Sequence, residues 1–190
     1  MKIILFFYFL IIMNNAFSHP VGFSKSYTIS INQFGSNSNY LLHYSPSFKY
    51  SIGYNQLNDE YDGLYLGYLI KRWNLPKAQG NAYIFGSVGD NFNHQGFQLD
   101  YETRKFYTMY KYNKYNINNS NDINLNIFRI GFAPYEGDYS ELNTWFIFEY
   151  NKENKITPLL RFFYKNVLWE TGYNNYKKEV LFNIIIRDYF

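Results

Sequence analysis

Residues 141–151 read ELNTWFIFEYN, and the fold turns on how they alternate. Leu142, Thr144, Phe146, Phe148 and Tyr150 share one side of an extended chain, while Asn143, Trp145, Ile147 and Glu149 share the other. A strand repeats its faces every second residue, whereas a helix repeats after about 3.6. The same two-residue period runs outward from this stretch in both directions. Phe48, Tyr50, Ile52 and Tyr54 alternate with polar or small residues, as do Leu64, Leu66, Tyr68 and Ile70, then Phe97, Leu99 and Tyr101. Beyond it, Val167, Trp169, Thr171 and Tyr173 and then Val180, Phe182, Ile184 and Ile186 keep the pattern.

One face of nearly every strand is bulky and aromatic; the other mixes small, amide and charged side chains. A water-soluble sandwich also alternates, with its apolar face inward. An apolar face this rich in aromatics fits a lipid-facing band with aromatic girdles, and charges of both signs on the other face converge if the sheet closes. The alternation predicts an all-β, antiparallel, closed transmembrane barrel. Its strands lie near 25–33, 39–45, 47–57, 62–73, 80–89, 95–103, 105–115, 122–133, 141–151, 157–165, 167–174 and 179–190, about twelve, or ten if 39–45 is a loop. Short turns at Ser45-Pro46-Ser47, Thr103-Arg104 and Lys165-Asn166 are expected to alternate with Asn-rich connections over 35–39 and 116–121. Trp73 to Gly80 reads as a long turn, and the phase change along Ile123–Phe132 predicts a bulge near Ile127. An even strand number puts both termini at the periplasmic end.

Composition narrows the class. The chain has 190 residues with 22 Tyr, 19 Phe, 3 Trp and no Cys. That much aromatic surface excludes a disordered chain, and the lack of thiols excludes a disulfide scaffold. Structural zinc is disfavoured because the three histidines, His19, His43 and His94, are far apart in sequence. A formal charge of +3 is too small to point to nucleic acid. A mean hydropathy of −0.39 beside 47% hydrophobic residues fits one-by-one interleaving.

Residues 1–18, MKIILFFYFLIIMNNAFS, carry a basic Lys2, an apolar run over Ile3–Met13 and small residues at Ala16 and Ser18. These are the three parts of a secretory signal peptide, and the apolar run falls short of the roughly 20 residues a membrane helix needs. Cleavage after Ser18 leaves one domain, residues 19–190, starting at His19.

Taken together, these features resemble a small outer-membrane β-barrel protein of Gram-negative bacteria. The resemblance is one of pattern: signal peptide, alternating strands, even number, terminal Phe190. The stretches ELNTWFIFEYN and TPLLRFFYKNVLWETG, residues 157–172, are also similar to exported barrels without an assigned activity. The resemblance implies outer-membrane localisation, outer-membrane lipid as surroundings, and the barrel assembly machinery as a partner reading Phe182, Ile184, Ile186 and Phe190. Asp188 departs from that terminal pattern.

The pattern assigns Phe48, Tyr50, Phe146, Phe148, Trp169, Phe182 and Phe190 to the lipid face. It assigns Lys49, Lys71, Asp100, Glu102, Lys111, Arg129 and Arg187 to the lumen. Residues equidistant from a tight turn face each other. A hairpin turn at Lys165-Asn166, with Asn in the left-handed region, sets Arg161 opposite Glu170. A loop centred on Lys155 would set Arg161 opposite Glu149 as well, giving a lumen ladder Glu149–Arg161–Glu170 that narrows the pore.

Other chemistry is weighed against this. The α-amino group and imidazole of His19 would chelate copper with His43 or His94 as a further ligand, yet no ligand spacing supports it. A lipid-modifying enzyme would pair His94 with Ser87 or Ser120, which need hydrogen-bond contact. Glu149 and Glu170 read as lumen ion-pair partners more readily than as an acid/base pair. No cofactor is expected. The sequence thus predicts a non-enzymatic outer-membrane barrel, either a narrow passive channel for an unspecified small solute or a structural or adhesive barrel. A lipid-modifying enzyme and a soluble periplasmic β-sandwich or lipocalin-like binder are the alternatives.

Overall fold

The computed structural model describes residues 20–22, 24–117, 122–138 and 140–189. The predicted signal peptide, His19, Ser120 and Phe190 lie outside the described residues. Twelve antiparallel strands form one closed barrel: β1 (Ser26–Phe34), β2 (Asn37–Ser45), β3 (Tyr50–Leu57), β4 (Tyr61–Leu75), β5 (Ala78–Gly89), β6 (Phe92–Thr103), β7 (Phe106–Ile117), β8 (Ile123–Phe132), β9 (Asn143–Asn151), β10 (Lys155–Tyr164), β11 (Val167–Asn174) and β12 (Glu179–Tyr189). Each strand pairs with its sequence neighbours, and β1 closes on β12 from Ser26↔Tyr189 to Phe34↔Leu181. Closure leaves no free sheet edge at the seam between first and last strands.

Alternation is read out across the barrel wall. Leu64, Leu66, Ile84, Phe128, Ile130, Phe146, Phe148 and Tyr150 point outward and are exposed. Tyr65, Tyr83, Asp100, Glu149, Arg161, Glu170 and Arg187 point inward and are buried. An apolar band around the whole circumference far exceeds the exposed patches that water-soluble monomers carry. A soluble sandwich would bury that face, so closure with the apolar side outward removes the sandwich reading.

Several local expectations are corrected. The β1–β2 connection is a two-residue turn, Gly35-Ser36, rather than an Asn-rich loop, with Gly35 at φ 57°. Trp73 to Gly80 is no long turn: β4 and β5 extend to Leu75 and Ala78 around Pro76-Lys77. The longest connection between strands is 133–142, at the end where β1 begins and β12 finishes.

No bulge forms at Ile127, because β8 stays in register with β7 from Tyr115↔Ile123 to Phe106↔Phe132. Asn124 and Asn126 point outward there and accept hydrogen bonds from the Tyr112 and Tyr110 hydroxyls, both 2.8 Å. The apolar residues change phase along β8 because the outer face turns polar toward the rim. The register shift lies instead between Leu69 and Lys71. It leaves Lys71 exposed outside and swings Arg72 inward, where its Nε donates to Asn81 Oδ1 at 2.8 Å.

Candidate functional site: the barrel lumen

The inner face of each strand carries the polar half of the alternation, so the lumen is built by closure alone. Its charged centre lies against β7–β12. Arg129 and Glu149 face each other across the β8–β9 pair, and Arg161 and Glu170 across the β10–β11 pair. Arg161 Nε donates to Glu170 Oε1 at 2.7 Å, and Arg129 Nη2 lies 2.7 Å from Glu149 Oε2. The Arg129 guanidinium also reaches Glu170, with Nη1 3.2 Å from both carboxylate oxygens. Asn183 Nδ2 donates to Glu170 Oε2 at 2.9 Å. Tyr107 supplies an aromatic face to Arg161, whose Cζ is 4.4 Å from the ring centroid.

The result is a chain Glu149–Arg129–Glu170–Arg161. Two carboxylates and two guanidiniums compensate one another, with Glu170 fully buried. Charges taken out of water in this way are tolerable only when paired and hydrogen-bonded. Arg161 pairs with Glu170, but Glu149 does not face Arg161. The β9–β10 turn is centred on Glu153 rather than Lys155, since Lys155 pairs with Asn151, so Thr157 faces Glu149 and Trp145 faces Arg161. Asn154 N donates to Asn151 Oδ1 at 2.6 Å, which closes that turn early. The Lys165-Asn166 hairpin has the predicted length, but Lys165 takes the left-handed conformation, φ 52°, while Asn166 Nδ2 donates to Arg187 O at 3.0 Å.

A second polar chain lines β4–β6. Arg72 binds Asn81, Asn81 Nδ2 donates to Asp100 Oδ1 at 2.7 Å, and Gln98 Nε2 donates to Asp100 Oδ2 at 2.9 Å. Arg187 Nε donates to Thr28 Oγ1 at 3.0 Å. Lys111 Nζ sits 5.1 Å from the Phe85 ring centroid on the inner face, and Glu102 shares the inward phase of Asp100. Lys49 is not in the lumen: it lies exposed in the turn 46–49, where its carbonyl accepts from Leu69 N at 2.6 Å. Lys71 is the other correction; its Nζ rests 5.2 Å from the Trp73 ring centroid outside the barrel. Phe48 is exposed in the same turn as Lys49, while Tyr50, Phe146, Phe148 and Phe182 are exposed on the outer wall. Trp169 also points outward and stacks on Phe162 at 5.2 Å.

The histidines do not build an active or metal site among the described residues. His94 Nε2 meets Asn113 Oδ1 at 3.1 Å and its Nδ1 has no hydrogen-bond partner, while Ser87 Oγ accepts from Asn55 Nδ2 at 3.1 Å. Ser87 faces His94 in register, yet the hydroxyl and ring are not hydrogen-bonded, so the nucleophile–base contact is missing. His43 is buried on the inner face of β2, its ring centroid 5.6 Å from that of Tyr65.

Alternation gave no sign of the feature at the termini end. Residues 20–22, just before β1, turn into the lumen. Pro20 O accepts from Ser51 Oγ at 3.0 Å and from Tyr65 OH at 2.9 Å, and Gly22 N donates to Ser45 Oγ at 2.8 Å. Val21 is 2% exposed and packs with Tyr65, Leu69, Tyr83 and Phe85. A Cβ on Gly67 would stand 2.9 Å from Pro20 O and 2.6 Å from Ser51 Oγ, so glycine at 67 makes the room. Three hydrogen bonds netting about 1 kcal/mol each and one buried valine worth about 1.5–3 kcal/mol hold this segment.

No protein-family model matches the chain, and no curated protein matches it in sequence. Among solved structures, the barrel is similar to the KdgM porin in complex with disordered oligogalacturonate. That match has a TM-score of 0.54 at 13% identity and covers 87% of this chain and 99% of that one. A structure from work on the in-meso crystallization of membrane proteins is also similar, with a TM-score of 0.47 at 19% identity over 87% of this chain and 84% of that one. The twelve-stranded closed barrel of this chain thus shares the fold of that porin.

Proposed function

We propose that this chain is an outer-membrane channel of narrow bore, passive and non-enzymatic, exported through a signal peptide cleaved after Ser18. The observation that carries the reading is the two-faced closed wall. An apolar band faces out around the circumference, and a compensated charge network lines the inside from β8 to β11. Twelve strands fall between barrels of about 8 strands, which side chains fill, and those of 16–18, which hold an open aqueous channel. A lumen crossed by Arg129, Arg161 and their carboxylates belongs in that middle range.

The porin fold supports passage of a small solute. The oligogalacturonate bound by the KdgM porin is a polyanion. In this barrel the arginines of the network are already met by Glu149 and Glu170, so the solute is not expected to be strongly acidic. Residues 19–190 act as one barrel domain held in outer-membrane lipid and inserted by the barrel assembly machinery.

Two measurements test this. Fractionation with a heat-modifiability gel should place a compact, SDS-resistant form in the outer membrane that shifts on boiling. Reconstituted protein in planar bilayers should give small or rare conductance steps. Large porin-like steps would remove the narrow-bore reading, and a periplasmic, non-shifting protein would remove the membrane reading.

A further inference from the structure

The barrel wall is complete without residues 20–22. β1 begins at Ser26, where it pairs with Tyr189 on one side and Ser45 on the other, so none of the β1 ladder depends on the preceding segment. That segment is nonetheless held inside the lumen by groups from three other strands: Ser45 of β2, Ser51 of β3 and Tyr65 of β4. The seat matches its occupant on both counts a plug needs. Hydroxyls satisfy the backbone of Pro20 and Gly22, which would otherwise be buried unpaired, and an apolar cup of Tyr65, Leu69, Tyr83 and Phe85 takes the Val21 side chain. Gly67 supplies the space under the Pro20 carbonyl.

We propose that Pro20–Val21–Gly22 is a gate for the channel proposed above: seated, it closes the lumen at the termini end, and withdrawn, it opens it. The geometry favours a mobile element over a structural one. Among the described residues the segment makes no strand pairing, and its three hydrogen bonds all go to the wall of the lumen. Because it lies outside the strand ladders, the segment can leave its seat without breaking the pairing of β1. Withdrawal moves Val21 out of its cup and returns the hydroxyls of Ser45, Ser51 and Tyr65 to water in the opened passage.

The test uses the reconstituted full barrel and two backgrounds. Val21→Cys places a single thiol in a chain that has none, and Gly67→Val fills the seat while leaving the sequence of the segment unchanged. Folding of each variant is checked by heat modifiability. A membrane-impermeant maleimide should label the Val21→Cys variant slowly in the wild-type seat and several-fold faster with Gly67→Val, and conductance should rise several-fold in the same background. Val21→Asp, which cannot occupy the apolar cup, should open the channel too and serves if Gly67→Val fails to fold.

Unchanged labelling in the filled seat would overturn the seat. Fast labelling with unchanged conductance would overturn the gate, and so would wild-type conductance already as large as that of Val21→Asp. The channel reading is judged separately with Arg161→Ala. If that variant conducts while the plug variants match wild type, the gate alone fails. If nothing conducts, the channel and its gate fall together.

Discussion

Arg129 and Glu149 face each other across the β8–β9 pair with Nη2 and Oε2 2.7 Å apart, and the same guanidinium reaches Glu170. Arg129, not Arg161, is therefore the group that joins Glu149 to Glu170.

Arg129→Ala should be the most damaging single change in the lumen. Among the described residues it removes the guanidinium that pairs with Glu149 and one of the two that pair with Glu170. Removing one partner of a buried ion pair costs about 3–5 kcal/mol. Arg161→Ala should cost less, because Arg129 still compensates Glu170. Urea unfolding in detergent micelles or lipid vesicles compares the two; equal losses would show that the network does not run through Arg129.

The outer wall should discriminate by face. Phe148 points outward and exposed, so Phe148→Arg should cost about 2–4 kcal/mol if it lies near the bilayer midplane. Asn143→Arg, at the start of β9, should be much milder. Equal tolerance at both sites would argue for a barrel that does not sit in lipid.

The register shift at Leu69/Lys71 predicts a reversal of what plain alternation implies. Lys71→Leu should be tolerated, since the side chain lies outside the wall. Arg72→Leu should destabilise by about 1.5–3 kcal/mol, because it strips a charged hydrogen bond from Asn81. The opposite ranking in thermal unfolding would put the shift elsewhere.

Exported protein should begin at His19. N-terminal sequencing of the outer-membrane form checks it, and a start at Met1 would remove the signal peptide. Since Pro20 is the first residue of the proposed gate, the same experiment defines how much chain precedes it.

The two-residue period by itself determined the wall. Once Phe146, Phe148 and Tyr150 take one face of an extended chain, Ile147 and Glu149 must take the other, and a sheet with such strands throughout has an apolar side and a polar side. The Arg161–Glu170 pair was legible for the same local reason. A two-residue turn at Lys165-Asn166 fixes the register of the hairpin it closes, whichever of its residues takes the left-handed conformation.

The rest depended on contacts no local signal encodes. The Glu149 partner lies on β8, separated from β9 by the ten-residue connection 133–142, so no tight turn fixes the register that brings Arg129 beside it. The centre of the turn after Asn151 was set by a side chain folding back onto Asn154 N, a choice the residue types leave open. The inward swing of Arg72 follows one extra residue in β4, which periodicity cannot see because it reverses the phase it relies on. The seat for Val21 gathers residues from β2, β3, β4 and β5, and such a cup exists only once the strands have closed around it.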